Sequence, residues 1–348
     1  MYSKTSTKMD FAFKTITEFN DYFKDEKTCY EFLESRLWNG TPVCPHCGSI
    51  KTPYKVKARG KFTDIPSYRC SERACDLPFT VRTGGIFEGS KVELRKWLQA
   101  AYEISISKKG ISSYELATRI GVSQKTGWFI NHRLRAMLTE TNPELLSGTI
   151  EIDETFVGGK NKNRHVSKKV KRSKISRTLD EKIEIPKTVV LGLLQRDGKV
   201  RTFVVPNTQG VTLNPIMRVN VETNSRIITD GWTAYQELKD QYSHVSVKGT
   251  VGSYITYGDQ HTNNIEGYWS ILKRGIVGTF HFVSPQHLQR YCDEFAHRYN
   301  TRSQTLDERF GESIKNAQNN RLTYRVLTPN IPDPIRKERY KKVKATLE

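Results

Sequence analysis

The 348-residue sequence lacks any uninterrupted apolar run of about 18 residues, the length that a membrane-spanning helix needs. Its first 14 residues also lack the apolar core of a secretory signal. Both absences favour a cytoplasmic protein. Cysteine is scarce, with six residues in the chain, and a reducing cytoplasm disfavours a disulfide framework. The cysteines are therefore expected to be packed thiols or metal ligands.

Acidic residues are too few to balance the basic ones. The chain has 56 Lys and Arg residues against 37 Asp and Glu residues, a formal net charge of +19. Such an excess favours a polyanionic partner, nucleic acid before an anionic membrane surface, over a merely soluble basic surface. The length allows two or three domains with a sizeable core.

Four of the six cysteines form two pairs, and the spacing predicts a structural zinc site. The pairs are Cys44, Cys47, Cys70 and Cys75. Four thiolates complete a tetrahedral Zn²⁺ site and leave no open position for catalysis. The second pair has four intervening residues, not the usual two, which predicts a distorted turn. Four unrelated buried thiols is the alternative interpretation.

Short strand patterns surround these pairs and indicate a zinc ribbon. A basic hairpin is predicted over residues 54–62, and further short strands at 68–69 and 78–81. Residues 19–38 have helical periodicity. We therefore assign residues 1–90 to a helical cap and zinc ribbon, with Cys29 and Cys292 as packed free thiols.

Residues 91–145 have the pattern of a helix-turn-helix segment. Ser112 is a suitable N-cap with Glu115 three residues later, Gly121 lies in a tight turn, and Ser123 can cap the second helix. Ala117 is small enough for close helix packing. An ordinary helical hairpin with solvated basic faces is the alternative.

The second helix of this segment carries the predicted DNA contacts. Its N-terminal end, where base edges are usually read, has Gln124, Lys125 and Thr126. Asn131, Arg133 and Arg135 follow and are predicted to contact phosphates.

Residues 146–311 change to strands mixed with helices and predict a mixed α/β domain. A strand is predicted over 148–156, a hairpin over 189–206, a helix over 212–221, a strand over 226–229 and a helix over 232–241. A strand, a hairpin, a helix, a strand bearing an acid and a later helix bearing an acid is RNase-H-like order. The sheet would be mixed, with helices on both faces.

Three acids in ordered contexts mark the predicted catalytic site. Asp153 lies on the first strand, Asp230 ends a later strand, and Glu266 opens a helix. Gathered carboxylates repel one another unless divalent cations lie between them, as in a two-metal site that cuts and joins phosphodiesters. Lys273, seven residues after Glu266, is predicted to contact a DNA phosphate. By strand alternation Asp153 shares a face with Glu151, so Glu154 is predicted to lie outside the site or behind it.

Two basic segments complete the sequence. Residues 160–182 are predicted to be a flexible loop that binds nucleic acid, with a solvating loop as the alternative. Its candidate DNA contacts, together with one from the catalytic helix, are Lys168, Lys169, Lys171, Arg172 and Arg274. His297, Arg298 and Asn300 are candidate phosphate contacts on the last helix, with a merely exposed helix face as the alternative. Residues 312–348 are predicted to be a basic C-terminal tail.

Several of these motifs closely resemble those of the IS1595-type, ISXO2-like transposases of bacterial insertion sequences. They lie at residues 82–87, 152–160, 229–231, 261–275 and 291–300. The resemblance covers roughly residues 15–310.

That resemblance implies a DDE-type DNA transposase with an RNase-H-like catalytic domain. Asp153, Asp230 and Glu266 would hold two Mg²⁺ ions, or Mn²⁺ in their place, although Asn263 and Asn264 are alternatives for the third ligand. The ribbon and helical segment would hold terminal inverted repeats of double-stranded DNA. A homodimer or higher oligomer on paired ends, associated with the bacterial nucleoid, is expected. A structure-specific nuclease or resolvase on the same fold is one alternative, and a catalytically dead DNA-binding regulator is another.

Overall fold

A computed structural model of the chain describes residues 13–58, 64–140, 143–158, 187–230, 235, 241–247, 259–318 and 320–328. The basic loop at 160–182, most of the helix predicted over 232–241 and the chain beyond 328 lie outside this part.

The described part contains the helices α1 (Ile16–Tyr22), α2 (Glu26–Leu37), α3 (Leu94–Ile106), α4 (Ser113–Ile120), α5 (Gln124–Leu138), α6 (Gly210–Asn220), α7 (Asn263–Gly275), α8 (Pro285–Asn300), α9 (Leu306–Lys315) and α10 (Tyr324–Leu327). Its strands are β1 (Tyr54–Lys55), β2 (Tyr68–Arg69), β3 (Pro78–Phe79), β4 (Thr149–Val157), β5 (Thr188–Gln195), β6 (Val200–Val205), β7 (Arg226–Thr229) and β8 (Ser243–Ser246).

The N-terminal part is a small antiparallel sheet packed on aromatic helices. Strands β1, β2 and β3 pair in that order. Tyr68 on β2 packs against Trp38 and stacks on Phe79 of β3. The strand predicted at 68–69 is confirmed, and β3 confirms the first half of the one predicted at 78–81. Of the hairpin predicted over 54–62, the described residues show one strand, β1, whose partner is β2, and residues 59–62 lie outside the described part.

Helices α4 and α5 lie where the helix-turn-helix pattern predicts two helices joined by a tight turn. Ser112 accepts a hydrogen bond from the Glu115 N–H and Ser123 accepts one from the Thr126 N–H, so both N-caps are confirmed. Gly121 adopts φ 63° in the turn, a conformation that favours glycine. The Glu115 carboxylate does not close a capping box, because it pairs with Arg119 at 2.6 Å.

A five-stranded mixed sheet in the order β6-β5-β4-β7-β8 forms the second core. Strands β4, β5 and β6 pair antiparallel, whereas β7 and β8 join in parallel. Residues of α7 and α8 share a buried apolar cluster with one face, and residues of α6 share another with the opposite face. The mixed sheet with helices on both faces agrees with the expectation.

The C-terminal segment corrects the predicted tail. Residues 312–328 are not a polar tail, because Ile314 and Ala317 are fully buried and Leu327 is also buried. Phe310 of α9 packs against Phe19 and Phe32 of the N-terminal helices. The chain therefore returns from the large sheet to complete the N-terminal core. None of the helices in the described ranges is both long enough and apolar enough to cross a bilayer.

Candidate metal centres and nucleic-acid interface

The four paired cysteines converge on one point. Their Sγ atoms all lie within 4.8 Å of one another. Sγ of Cys44 is 3.8 Å from that of Cys75, and Sγ of Cys47 is 3.6 Å from that of Cys70. A tetrahedral site with Zn–S bonds of about 2.3 Å requires sulfur separations of roughly 3.8 Å. The donor set and its spacing therefore fit one structural Zn²⁺.

Both cysteine turns use the same backbone device despite their different lengths. The residue after each pair has positive φ, 72° at Gly48 and 43° at Asp76. Gly48 N–H donates to the Cys44 carbonyl at 2.8 Å, and Asp76 N–H donates to the Glu72 carbonyl at 2.9 Å. The longer second turn thus still returns its last thiol to the cluster.

Strand pairing brings Asp153 and Asp230 to one edge of the large sheet. In the parallel ladder of β4 and β7, Glu151 lies opposite Ile228. Asp153 lies two residues beyond Glu151, and Asp230 directly follows the last residue of β7. The charge of Asp230 raises the pKa of Asp153, so the two side chains lie near each other at the carboxyl ends of these neighbouring strands.

Helix α7 packs against one face of the large sheet and presents its charged residues outward. Its apolar stripe of Ile265, Trp269 and Leu272 is buried, as expected. Glu266 is exposed one turn from the helix start, and Lys273 is exposed two turns further on. Arg274 is exposed beside Lys273.

The charges of these acids act on Asp153. The pKa of Asp153 is raised to about 6, first by burial and then by the charges of Asp230 and Glu266, against an opposing hydrogen bond from Trp269. Within the described ranges, however, only the four cysteines bring three or more ligand atoms within 4.8 Å of one another. The carboxylates approach one another without closing into such a cluster, so the shared metal site stays a prediction.

Glu154 points to the other face of the sheet, as strand alternation predicts. The Tyr235 hydroxyl donates a hydrogen bond to its Oε1. The pKa of Glu154 is raised to about 7, first by burial and then by the charges of Asp153 and Asp230, against the opposing hydrogen bond from Tyr235. The Glu154 side chain is half-buried and is hydrogen-bonded to Tyr235. It thus lies behind the acidic edge, which we define as the end of the sheet that carries Asp153 and Asp230 together with Glu266 of α7.

Glu151 anchors the start of α7, a role that the sequence analysis missed. Its fully buried carboxylate accepts hydrogen bonds from the backbone N–H groups of Asn264 and Ile265, both at 3.0 Å. Arg196 Nε and Asn264 Nδ2 each donate to it at 2.8 Å. An anion at a helix N-terminus is favourable. The continuous apolar run of β5 was the sequence signal that could have revealed this role. Such a run indicates a strand that is covered on both faces, and a charged residue on the neighbouring strand, such as Glu151, must then have a buried partner.

Asn264 is consequently engaged with Glu151, which weakens it as an alternative third ligand. Asn263 is exposed at the first position of α7.

The N-terminal end of α5 is open, as the DNA-reading prediction requires. Gln124 and Lys125 are exposed and Thr126 is half-exposed. Gln124 Nε2 donates to Ser113 Oγ at 2.9 Å, and Lys125 Nζ lies 5.4 Å from the Tyr324 ring centroid. DNA binding by these three side chains stays a prediction.

The phosphate contacts predicted for the C-terminal half of α5 are wrong. Arg135 is buried, with Nε 2.6 Å from Glu294 Oε2 and the guanidinium 3.9 Å from the Tyr291 ring centroid. Arg133 is buried too and donates to the Glu88 carbonyl at 2.8 Å. Asn131 donates internally to the Ile111 carbonyl. These side chains are interior partners, so they present nothing to a phosphate.

The candidate phosphate contacts on α8 are likewise engaged inside the protein. Arg298 donates to Glu294 and to the Ile104 carbonyl, at 2.6 and 2.8 Å. Asn300 Oδ1 accepts from the Val200 N–H on edge strand β6 at 2.7 Å, and its Nδ2 donates to the Val200 carbonyl. Burial lowers the pKa of His297 to about 4, so its ring is neutral near pH 7.

Comparison with known proteins agrees with both regions. The ISXO2-like transposase domain matches residues 145–300, a range that contains Asp153, Asp230, Glu266 and Lys273. The transposase zinc-ribbon domain matches residues 24–76, which contain all four clustered cysteines. The second match and the thiol geometry together support a structural zinc.

Two relatives are associated with transposition by name. A protein in transposable element ISH50 of Halobacterium salinarum is 27% identical over 258 residues, which cover 73% of this chain and 84% of the relative. A transposase-like protein of Haemophilus influenzae is 31% identical over 103 residues, 29% of this chain and 81% of the relative.

Proposed function

Because the chain belongs to the family of ISXO2-like transposases of the IS1595 type, we propose that it is an RNase-H-like DDE transposase acting on double-stranded DNA. The observation that supports this proposal is the parallel pairing of β4 with β7, because Asp153 and Asp230 then lie near the carboxyl ends of neighbouring strands. The charge of Glu266 on α7 reaches the same carboxylate. The donor set, three carboxylates at one sheet edge, is of the type that suits Mg²⁺ or Mn²⁺.

In this proposal Asp153, Asp230 and Glu266 would hold two Mg²⁺ ions, or Mn²⁺ in their place. When bound, such ions supply an activated water and neutralise charge on the phosphate. Lys273 contacts a phosphate of the bound strand, two turns along α7 from Glu266. Cleavage at the element's end leaves a 3'-hydroxyl and a 5'-phosphate. The 3'-hydroxyl then attacks a target phosphodiester and displaces a target 3'-hydroxyl, which needs no external energy source.

DNA recognition is assigned to the exposed, positively charged parts of the chain. Gln124, Lys125 and Thr126 at the start of α5 would read base edges of the terminal inverted repeats. Arg274 would contact the backbone. Lys168, Lys169, Lys171 and Arg172 belong to the same proposal but lie outside the described residues. The net charge of +19 supports a polyanionic partner of this kind. Pairing of two ends would require at least a homodimer.

The test is strand cleavage and strand transfer on linear DNA that carries an end of the element, in Mg²⁺. Asp153→Asn and Glu266→Gln are expected to lose both reactions and to retain end binding in a gel-shift assay. The control is Glu222→Gln, an exposed acid away from the acidic edge, which should keep full activity. Cleavage without transfer by the wild type would favour a nuclease or resolvase. If the wild type binds ends but neither cleaves nor transfers, and the substitutions change nothing, a catalytically dead DNA-binding regulator is favoured.

A further inference from the structure

The indole of Trp269 reaches from α7 to the carboxylate of Asp153. Its Nε1–H donates to Asp153 Oδ2 at 2.9 Å. The indole is buried in the apolar cluster between α7 and the sheet, so this hydrogen bond is largely shielded from solvent. A hydrogen bond to a charged acceptor is stronger than one between neutral groups.

Strand β5 has a notch that admits this indole. Gly192 lies directly opposite Asp153 in the antiparallel ladder. A Cβ atom at Gly192 would lie 2.6 Å from Cζ2 of Trp269 and 2.9 Å from Cδ1 of Ile265. Any larger residue would therefore push the indole away from the aspartate. The absence of a side chain at this position is what allows the hydrogen bond.

Helix α7 is fixed on β4 at two successive points. Glu151 holds the helix start through the N–H groups of Asn264 and Ile265. Two residues further along the same face of β4, Asp153 accepts from Trp269. Two attachment points set both the rotation of the helix and its position along the strand. Glu266 lies between them in sequence, so its position relative to Asp153 is set as well.

We propose that Trp269 is a positioning residue for the divalent-metal site of the transposase. Its N–H holds Oδ2 of Asp153, so that Oδ1 would be the oxygen available to a cation that Asp230 and Glu266 would also hold. A carboxylate otherwise rotates broadly about its last side-chain torsion. Ligating carboxylates are typically held by such hydrogen bonds, whose loss costs about 10–100-fold in metal affinity or activity. This inference rests on the proposed function.

The test compares two tryptophans that each donate one indole hydrogen bond. Trp269→Phe keeps an aromatic ring in the notch and removes only the N–H. The matched control is Trp97→Phe, because the buried Trp97 donates to Ser90 Oγ at 3.0 Å, within the N-terminal core. Binding of Mn²⁺ to the full, zinc-loaded chain without DNA is measured by titration with electron paramagnetic resonance. We expect Trp269→Phe to weaken Mn²⁺ binding about 10-fold and Trp97→Phe to leave it unchanged.

A second measurement needs no variant that might misfold. In wild-type protein with ¹⁵N-labelled tryptophan, Mg²⁺ should shift the Trp269 indole N–H signal and leave the Trp97 signal in place. Unchanged Mn²⁺ affinity in Trp269→Phe, or a Trp269 signal indifferent to Mg²⁺ when the ion binds, overturns the positioning role alone. If the wild type binds no Mn²⁺, or if Asp153→Asn with Asp230→Asn binds it equally well, the proposed function fails and the positioning role fails with it.

Discussion

The two groups of metal-type ligands in this chain are assembled in different ways. The four thiols of the ribbon lie within 4.8 Å of one another through two local turns. The acids Asp153, Asp230 and Glu266 come from three elements far apart in sequence, and in the described part of the chain they do not close to that distance. Local backbone geometry builds the first group, and tertiary packing builds the second.

Charge explains much of the difference. Thiols can remain neutral until a metal binds, so four of them can be packed together at little electrostatic cost. Carboxylates at one edge repel one another, and burial with their neighbours' charge raises the pKa of Asp153 to about 6 and of Glu154 to about 7. The acidic edge is thus a site that a cation would stabilise, whereas the thiol group already has the spacing of its bound form.

The largest expected effect tests whether zinc holds the ribbon together. Cys47 is exposed and Cys29 is buried outside the cluster. Cys47→Ala removes a ligand with little loss of packing, so we expect zinc loss, unfolding of the ribbon and a stability loss of several kcal/mol, since metal binding energy is folding energy. Metal analysis and thermal unfolding measure both.

Cys29→Ala is the control for that experiment. It should lower stability through lost packing while retaining one zinc per chain. A full zinc content in Cys47→Ala would show that this thiol is not a zinc ligand. The ribbon could then no longer be compared with the acidic edge as a preformed four-thiol site.

A smaller effect is expected from the acidic edge. The pKa of Asp153 is about 6 in the folded chain, and about 3.9 is normal for an unfolded chain. The folded state therefore binds this proton more tightly, and its stability falls as pH rises through the window between these values. We expect wild type to lose about 1 kcal/mol relative to Asp153→Asn between pH 5 and 7. Urea unfolding without chelator, so that zinc is retained, measures this difference.

Addition of Mg²⁺ should reverse that loss in wild type and not in Asp153→Asn, because a ligand of the folded state stabilises it. A difference between the two proteins that does not change with pH would mean that Asp153 carries no electrostatic strain.

Features that depend on local rules could be predicted from the sequence, whereas features that depend on distant partners could not. Strand alternation put Asp153 and Glu154 on opposite faces, and the apolar stripe of α7 is buried as its spacing required. Arg135 was misread because its partner Glu294 lies 159 residues away in the chain. A basic residue on a helix looks solvated until an acid from another element is known to face it.

The same limit explains two other misses. Ile314 and Ala317 belong to a segment that packs into the N-terminal core, so its composition alone suggested the start of a tail. Glu151 looked like one polar position in an alternating strand. Its burial results from the coverage of both sheet faces, and its partners depend on where α7 begins.

The smallest prediction uses one glycine from each region. Neither Gly48 in the ribbon nor Gly267 on α7 has any atom within 4 Å of the position that a Cβ would take. An added methyl group would therefore meet no steric clash at either glycine, and the two positions differ only in backbone conformation. Gly48 has φ 72°, which an alanine adopts at a cost of about 1 kcal/mol, whereas Gly267 lies inside a helix, where alanine is favoured by about 0.5–1 kcal/mol.

Gly48→Ala should therefore lower the free energy of unfolding, and Gly267→Ala should raise it. Denaturant titration of both variants at saturating zinc measures the change in the free energy of unfolding. Zinc occupancy must remain full in Gly48→Ala, so that the change reports on the turn and not on lost metal. If both substitutions stabilise, the turn after Cys47 does not depend on the left-handed conformation of Gly48. Opposite signs would mean that it does. The helix that bears Glu266 would then tolerate local change, because Glu151 and Trp269 hold it in place.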